Sequence, residues 1–249
     1  MEVNEKIQLE SYEWDKFYAG LKSLGIECSQ EKINQFLKFY QMLIEKNKVM
    51  NLTAITEFED VVEKHFLDSL SLVKCINLNQ NLRVLDLGTG AGFPGIPLKI
   101  VFPQLEIVLM DSLNKRVLFL KEVIEELNLS DILAVHGRAE EMAGKKEYRE
   151  QFDLCISRAV ANLSSLSEYC IPFVKIGGNF ISYKSGEIEE ETEQAKKAIS
   201  VLGGSITKVE KFILTGTEVS RSFIQIEKKK KTPKSYPRKA GTPSKNPIH

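Results

Sequence analysis

The sequence predicts an α/β fold, a mostly parallel sheet with a C-terminal antiparallel hairpin and a helical N-terminal extension. Two observations carry this. From Leu82 onward short apolar runs alternate with helix-length amphipathic ones, as in strands joined by helical crossovers. The last two such runs are separated only by a short polar segment with Gly216, which is hairpin spacing.

Residues 1–80 read as helical. Phe36, Leu37, Phe39, Tyr40, Leu43 and Ile44 recur at the three-to-four spacing of one helix face. A second helix is expected over Val61–Ile76, around "HFLDSLSLV". Residues 81–231 hold the sheet. Its strands are expected at "RVLDL" (83–87), "LEIVLMD" (105–111), "DILAVHG" (131–137), "FDLCISR" (152–158) and "NFISYK" (179–184). Helices are expected over Pro97–Phe102, Asn114–Leu127, Leu163–Val174 and Ile188–Leu202. "ITKVEKFIL" (206–214) and "RSFIQIEKK" (221–229) form the hairpin. Residues 232–249, rich in Pro, Lys, Gly and Ser, read as a basic, flexible tail with too little apolar surface for a core.

Composition narrows the function classes. Of 249 residues, 43% are hydrophobic and 27% charged, as in globular proteins. No apolar run approaches the length of a membrane span, and the polar start "MEVNEKIQLESYEWDK" does not look like a signal peptide. Cys28, Cys75, Cys155 and Cys170 are scattered, which suits a reducing cytoplasm. His65, His136 and His249 lack metal-ligand spacing, so no metal is expected. The net charge of zero conceals an asymmetry. From Lys228 on there are eight basic residues and no acid, leaving 26 basic and 34 acidic side chains in the body. A cationic tail on an acidic body can meet a polyanion.

The stretch "VLDLGTGAGFPGIPLKI" (84–100) marks the candidate site. Gly88, Gly90, Gly92 and Gly95 follow the first strand, where ligands of parallel sheets bind. Gly90-x-Gly92-x-x-Gly95 matches a dinucleotide fingerprint. Asp86 two residues before the first glycine, and the late position of Gly90, argue against a dinucleotide. Asp111 closes the second strand, where an acid can bond the ribose hydroxyls of any adenosine-containing cofactor.

This loop, with Asp111, resembles that of class I S-adenosylmethionine-dependent methyltransferases, which share a Rossmann-like sheet. "NLTAI" (51–55), "KHFLDSL" (64–70), "GTGAGFPGIPL" (88–98), "GRAEE" (137–141), "SRAVANL" (157–163) and "TPKSYPRKAGTPSKNPI" (232–248) together resemble the bacterial glucose-inhibited division protein B family. The resemblance implies methylation of a guanine N7 in small-subunit (16S) ribosomal RNA, with S-adenosyl-L-methionine as cofactor. It implies that Gly88, Phe93, Ala139, Glu140 and Arg158 line the cofactor site, and the superfamily pattern adds Asp86, Gly90 and Asp111. Guanine N7 has no proton to lose, which fits a sequence with no evident general base. "ISRAVAN" stands where amine methyltransferases carry Asn/Asp-Pro-Pro-aromatic, and Cys155 lies within an apolar run, where core packing is its expected role.

Arg138, Arg158 and Arg221 stand at strand ends on the expected active face, and are the candidates for catalytic contact with RNA, since guanidinium groups bind phosphate and guanine O6. Lys184 is a weaker candidate of the same kind. His65 and Asp68 could position substrate or simply brace the cap. In the tail, Lys234, Tyr236, Arg238, Lys239 and Lys245 would grip RNA. The expected protein is a cytoplasmic monomer acting on ribosomal RNA or a pre-ribosomal particle. The rival readings are a methyltransferase for a protein or small molecule, a non-catalytic RNA-binding assembly factor and a nucleotide-binding oxidoreductase.

Overall fold

A computed structural model of the chain describes residues 12–158 and 161–248. Among the described residues seven strands form one sheet in the order β3-β2-β1-β4-β5-β7-β6. They are β1 (Arg83–Leu87), β2 (Glu106–Asp111), β3 (Ile132–His136), β4 (Phe152–Arg158), β5 (Val174–Ser185), β6 (Gly204–Ile213) and β7 (Ser220–Lys228). Strands β1 to β5 run parallel, and β7 is antiparallel to β5 and β6. The expected parallel sheet with its terminal hairpin is present.

Alternate residues of the central strands supply two cores. Val84, Ile107, Leu109, Leu154 and Ile156 face one way, and Leu85, Leu87, Val108, Met110 and Cys155 face the other. Burial on both faces explains why these strands read as continuous apolar runs. The first face is covered by the N-terminal helices α1 (Asp15–Ser23) and α2 (Gln30–Met50). Helix α2 starts at Ser29, whose hydroxyl accepts from the Lys32 amide at 3.4 Å, and stops at Asn51 in the left-handed region. Its buried face includes Phe36, Phe39 and Tyr40. Phe39 lies 5.2 Å from the ring of Phe93 in the glycine loop, so this aromatic core reaches the candidate site.

The expected second helix is helical but not regular. α3 (Phe58–Val61) passes through a π-helical turn, Val62–Leu67, into α4 (Asp68–Leu70) and a 3-10 turn, Ser71–Lys74. A π turn shifts the side chains that follow it, and this one carries His65 and delivers Asp68. Apolar spacing alone does not encode such a turn. The remaining helices are α5 (Gly95–Val101), α6 (Asn114–Glu126), α7 (Ala139–Met142), α8 (Leu163–Cys170), α9 (Glu189–Val201) and α10 (Thr242–Lys245).

Two expectations need correction. β5 begins at Val174 rather than at residue 179, because the chain enters the sheet through an irregularity opposite Phe152–Leu154. Gly178 passes so close there that a Cβ would sit 2.6 Å from the Asp153 carbonyl oxygen. The tail is not a free chain over its described length. Arg149 donates to the carbonyls of Thr232, Pro233 and Tyr236. The Arg238 amide and guanidinium bond the buried Glu168 carboxylate at 2.6–3.1 Å. Ser165 Oγ donates to Pro243 O at 2.7 Å, and the Gly241 amide donates to Glu140 at 2.9 Å. Polar bonds to a few buried partners hold this segment where apolar packing alone would not. Its side chains Lys234, Lys239 and Lys245 remain exposed.

Candidate active site

The site is built at the carboxyl ends of the parallel strands, around the turn from β1 into α5. Asp86, fully buried at the end of β1, accepts from Thr89 Oγ1 at 2.7 Å and from the Gly95 amide at 2.8 Å, both through Oδ2. Its second oxygen has no partner among the described residues. Burial raises its carboxyl to about 6, against the lowering pull of the two hydrogen bonds. Gly95 must be glycine, since a Cβ would come within 2.3 Å of Leu109 and 2.8 Å of Asp86. Gly90 takes φ 62, and its amide donates to Asp111 Oδ2 at 3.0 Å. The loop is thus tied to β1 and β2 by one carboxylate each.

Asp111 also accepts from the Leu113 amide at 2.8 Å and from Arg116 at 3.4 Å. Beside it lies a cavity of about 280 Å³ lined by Leu87, Gly88, Met110, Asp111, Ser112, Gly137, Arg138, Ala139, Glu140 and Tyr169. Four residues expected at the cofactor, Gly88, Asp111, Ala139 and Glu140, come together here. Arg138, expected to contact RNA, lines the same cavity. Asp86, Gly90 and Phe93 are not among its lining residues. Asp86 and Gly90 shape the loop from beneath, and Phe93 turns its ring the other way.

A second cavity, about 540 Å³, lies across the glycine loop at the ends of β4, β5 and β7. Its lining includes His65, Asp68, Arg158, Tyr183, Lys184 and Arg221. Arg158 sits here and not in the first cavity, with its guanidinium 5.3 Å over the Phe93 ring. Phe93, only 5% exposed, stacks on His65 at 4.5 Å. Burial, then the charge of Arg158, lowers His65 to about 3, so the imidazole is neutral at working pH. His65 Nδ1 lies 3.2 Å from Arg158 Nη2 and 3.1 Å from the Lys64 carbonyl oxygen, and Nε2 lies 2.9 Å from Thr53 Oγ1. Lys184 donates to Ala161 O at 2.8 Å and Glu191 at 2.6 Å. Ala159 and Val160, inside the "SRAVANL" stretch, lie outside the described residues.

Sequence reasoning missed Tyr169, Tyr183, Glu168 and Glu191. Each lies within an ordinary helix or strand pattern, and only the tertiary fold aims it at a cavity or at the tail. Cys155 is fully buried in β4, in keeping with core packing. Among the described residues no helix is long and apolar enough to cross a membrane.

The residues fit S-adenosylmethionine. A buried carboxylate oxygen without a partner suits a cationic amine, and Asp111 at the cavity edge has lone pairs for hydroxyls. Comparison with known proteins agrees at two levels. The structure resembles M. jannaschii TYW2 in complex with AdoMet (TM-score 0.53, 16% identity, 70% of this chain and 79% of that one). It also resembles a SAM-dependent methyltransferase from Aquifex aeolicus (0.51, 16%, 68% and 93%). These likenesses establish the class I methyltransferase fold. In sequence, the chain is 54% identical over 232 residues to the ribosomal RNA small subunit methyltransferase G of Lachnoclostridium phytofermentans, covering 93% of this chain and 96% of that one. It is 51% identical to the protein of that name from Alkaliphilus metalliredigens, covering 92% and 96%. Residues 32–222 match the sequence model of the family described as rRNA small subunit methyltransferase G. The chain therefore belongs to the rRNA small subunit methyltransferase G family.

Proposed function

We propose that the protein transfers a methyl group from S-adenosyl-L-methionine to N7 of one guanine in small-subunit ribosomal RNA. The observation that carries this reading is the pair of cavities flanking the glycine loop. One is edged by the carboxylate that closes β2, and the other is faced by Arg158 and Arg221. The cofactor, when bound, supplies an electrophilic methyl on a sulfonium. The chain's task is then orientation. Asp86 and Gly88 would hold the amino-acid end, Asp111 the ribose, and Ala139 and Glu140 the adenine end. Gly90 fixes Asp111, and Phe93 separates the cofactor from His65. Arg158 reaches the substrate side across Phe93.

The titratable groups around the second cavity are already engaged. Lys64 bonds Asp60, His65 has Nδ1 against Arg158 and the Lys64 carbonyl and Nε2 against Thr53, Tyr183 donates to Ser69 O, and Glu191 takes Lys184 and the Leu163 amide. A nucleophile that must lose a proton would find no poised acceptor among them, and guanine N7 needs none. Arg138, with Lys234, Lys239 and Lys245 of the tail, supplies cationic contacts for RNA phosphates. On this reading the enzyme works as a cytoplasmic monomer on ribosomal RNA or a pre-ribosomal particle.

The test is twofold. Calorimetry should show binding of S-adenosylmethionine and none of NAD. Incubation with small subunits from cells lacking the gene should then yield N7-methylguanine at one rRNA position by mass mapping. Binding of NAD alone, or methyl transfer to another atom, would overturn the reading.

A further inference from the structure

Asp68 is an acid on the substrate side for which the reaction has no chemical use. It is 2% exposed. Its Oδ2 accepts from Arg158 Nη1 at 2.8 Å and its Oδ1 from Arg221 Nε at 2.8 Å. The three residues come from three places: the end of the π turn, the end of β4 and the start of β7. Arg158 is fixed further through Nη1 to Lys64 O at 3.2 Å, and its Nη2 lies 3.2 Å from His65 Nδ1. Arg221 Nη1 donates to the Ser220 carbonyl at 3.3 Å. Among the described residues, Arg158 Nε and Arg221 Nη2 have no hydrogen-bond partner, and both side chains line the second cavity.

Two guanidinium groups in a half-buried pocket repel each other, and both would repel a neighbouring sulfonium. One carboxylate between them halves the charge of the cluster and sets the distance between the forks. We propose that Asp68 is a positioning residue for methyl transfer, holding Arg158 and Arg221 so that their remaining N–H groups receive the O6 acceptor of the target guanine. This rests on the reading of the second cavity as the substrate side. An acceptor held at O6 turns the adjacent N7 in one direction, so the same contact would select the base and aim it. The arrangement also gives the N-terminal extension a part in the reaction, because it delivers the acid that sets two arginines of the sheet.

The experiment uses full-length protein and small subunits reconstituted with either guanosine or 2-aminopurine riboside at the target position. 2-Aminopurine keeps N7 and lacks O6. Wild type should prefer guanosine by about 10- to 100-fold in kcat/KM, the worth of a hydrogen bond to a charged donor. Asp68→Asn should lower kcat on guanosine about as much and largely erase the preference, while its S-adenosylmethionine Kd stays within twofold of wild type. Asp68→Glu keeps the charge but displaces both forks. It should fold with wild-type thermal stability and still lose the preference, which keeps the test decisive if the Asn variant fails to fold. A brace that only tied the extension to the sheet would lower stability and cofactor affinity and leave the preference intact, and that result overturns the proposal. Wild type that fails to methylate N7 of guanosine would instead refute the proposed function itself.

Discussion

Replacing Asp86 by Asn should make the cofactor-free protein more stable at alkaline pH while weakening cofactor binding. The carboxyl is fully buried, and burial raises it from 3.8 to about 6. A folded-state value above the unfolded one means that the native protein holds the proton more tightly. The stability it contributes is present below pH 3.8 and is lost as pH rises through 6. At about 1.4 kcal/mol per pH unit, ionised Asp86 costs the empty protein about 3 kcal/mol at pH 8. An Asn carbonyl can still accept from Thr89 Oγ1 and the Gly95 amide, but as a neutral group, at a loss of about 1 kcal/mol. The variant should therefore gain about 2 kcal/mol at pH 8, or roughly 4–8 °C in Tm for a chain of this size. The gain should shrink toward pH 5, where the wild-type carboxyl is also neutral. Comparing the two proteins across pH by calorimetry cancels every other titrating group. Titration with S-adenosylmethionine at pH 8 should show a loss of at least about tenfold in affinity, since the unpaired oxygen is the proposed partner of its amine. A variant no more stable than wild type at pH 8, or a difference that does not depend on pH, would refute the reasoning.

Asp111→Ala removes an acceptor for the Gly90 and Leu113 amides as well as the proposed ribose contact. S-adenosylmethionine Kd, measured by calorimetry, should rise about 10- to 100-fold, with kcat at saturating cofactor much less affected. Arg238→Ala leaves the buried Glu168 carboxylate with only the residue-238 backbone amide in place of a charged partner and should destabilise the fold by about 3 kcal/mol in denaturant titration. Arg238→Met combined with Glu168→Leu should recover most of that loss, because breaking a buried pair costs more than replacing it. Changing Lys234, Lys239 and Lys245 together to Ala should flatten the dependence of log K for RNA on log salt by about 2, measured by filter binding. It should leave S-adenosylmethionine affinity unchanged.

The sheet was legible because burial on both faces writes long apolar runs into β1, β2 and β4, and helix-length crossovers then fix parallel order. The glycine loop was legible for a related reason. At Gly95 a Cβ would stand 2.8 Å from the Asp86 carboxylate and 2.3 Å from Leu109, and so close an approach leaves a glycine behind as its trace. The tail shows where such reading stops. Its composition is that of a mobile segment, yet one buried glutamate, Glu168, and one arginine, Arg149, take enough of its backbone and side-chain groups to hold it. Neither residue stands out locally, since each sits in a stretch whose neighbours follow an ordinary pattern. The substrate side was legible only in pieces. Arg158 and Arg221 could be placed at strand ends, but residues 63 and more positions apart in sequence meet at Asp68 because a π turn rotates the cap helix, and a shift of that size has no signature in apolar spacing. The same feature explains why His65, one ring from Phe93, is neutral. It is buried beside a fixed guanidinium with both ring nitrogens in contact with protein atoms, and a histidine in that position is a spacer between cofactor loop and arginine rather than a base.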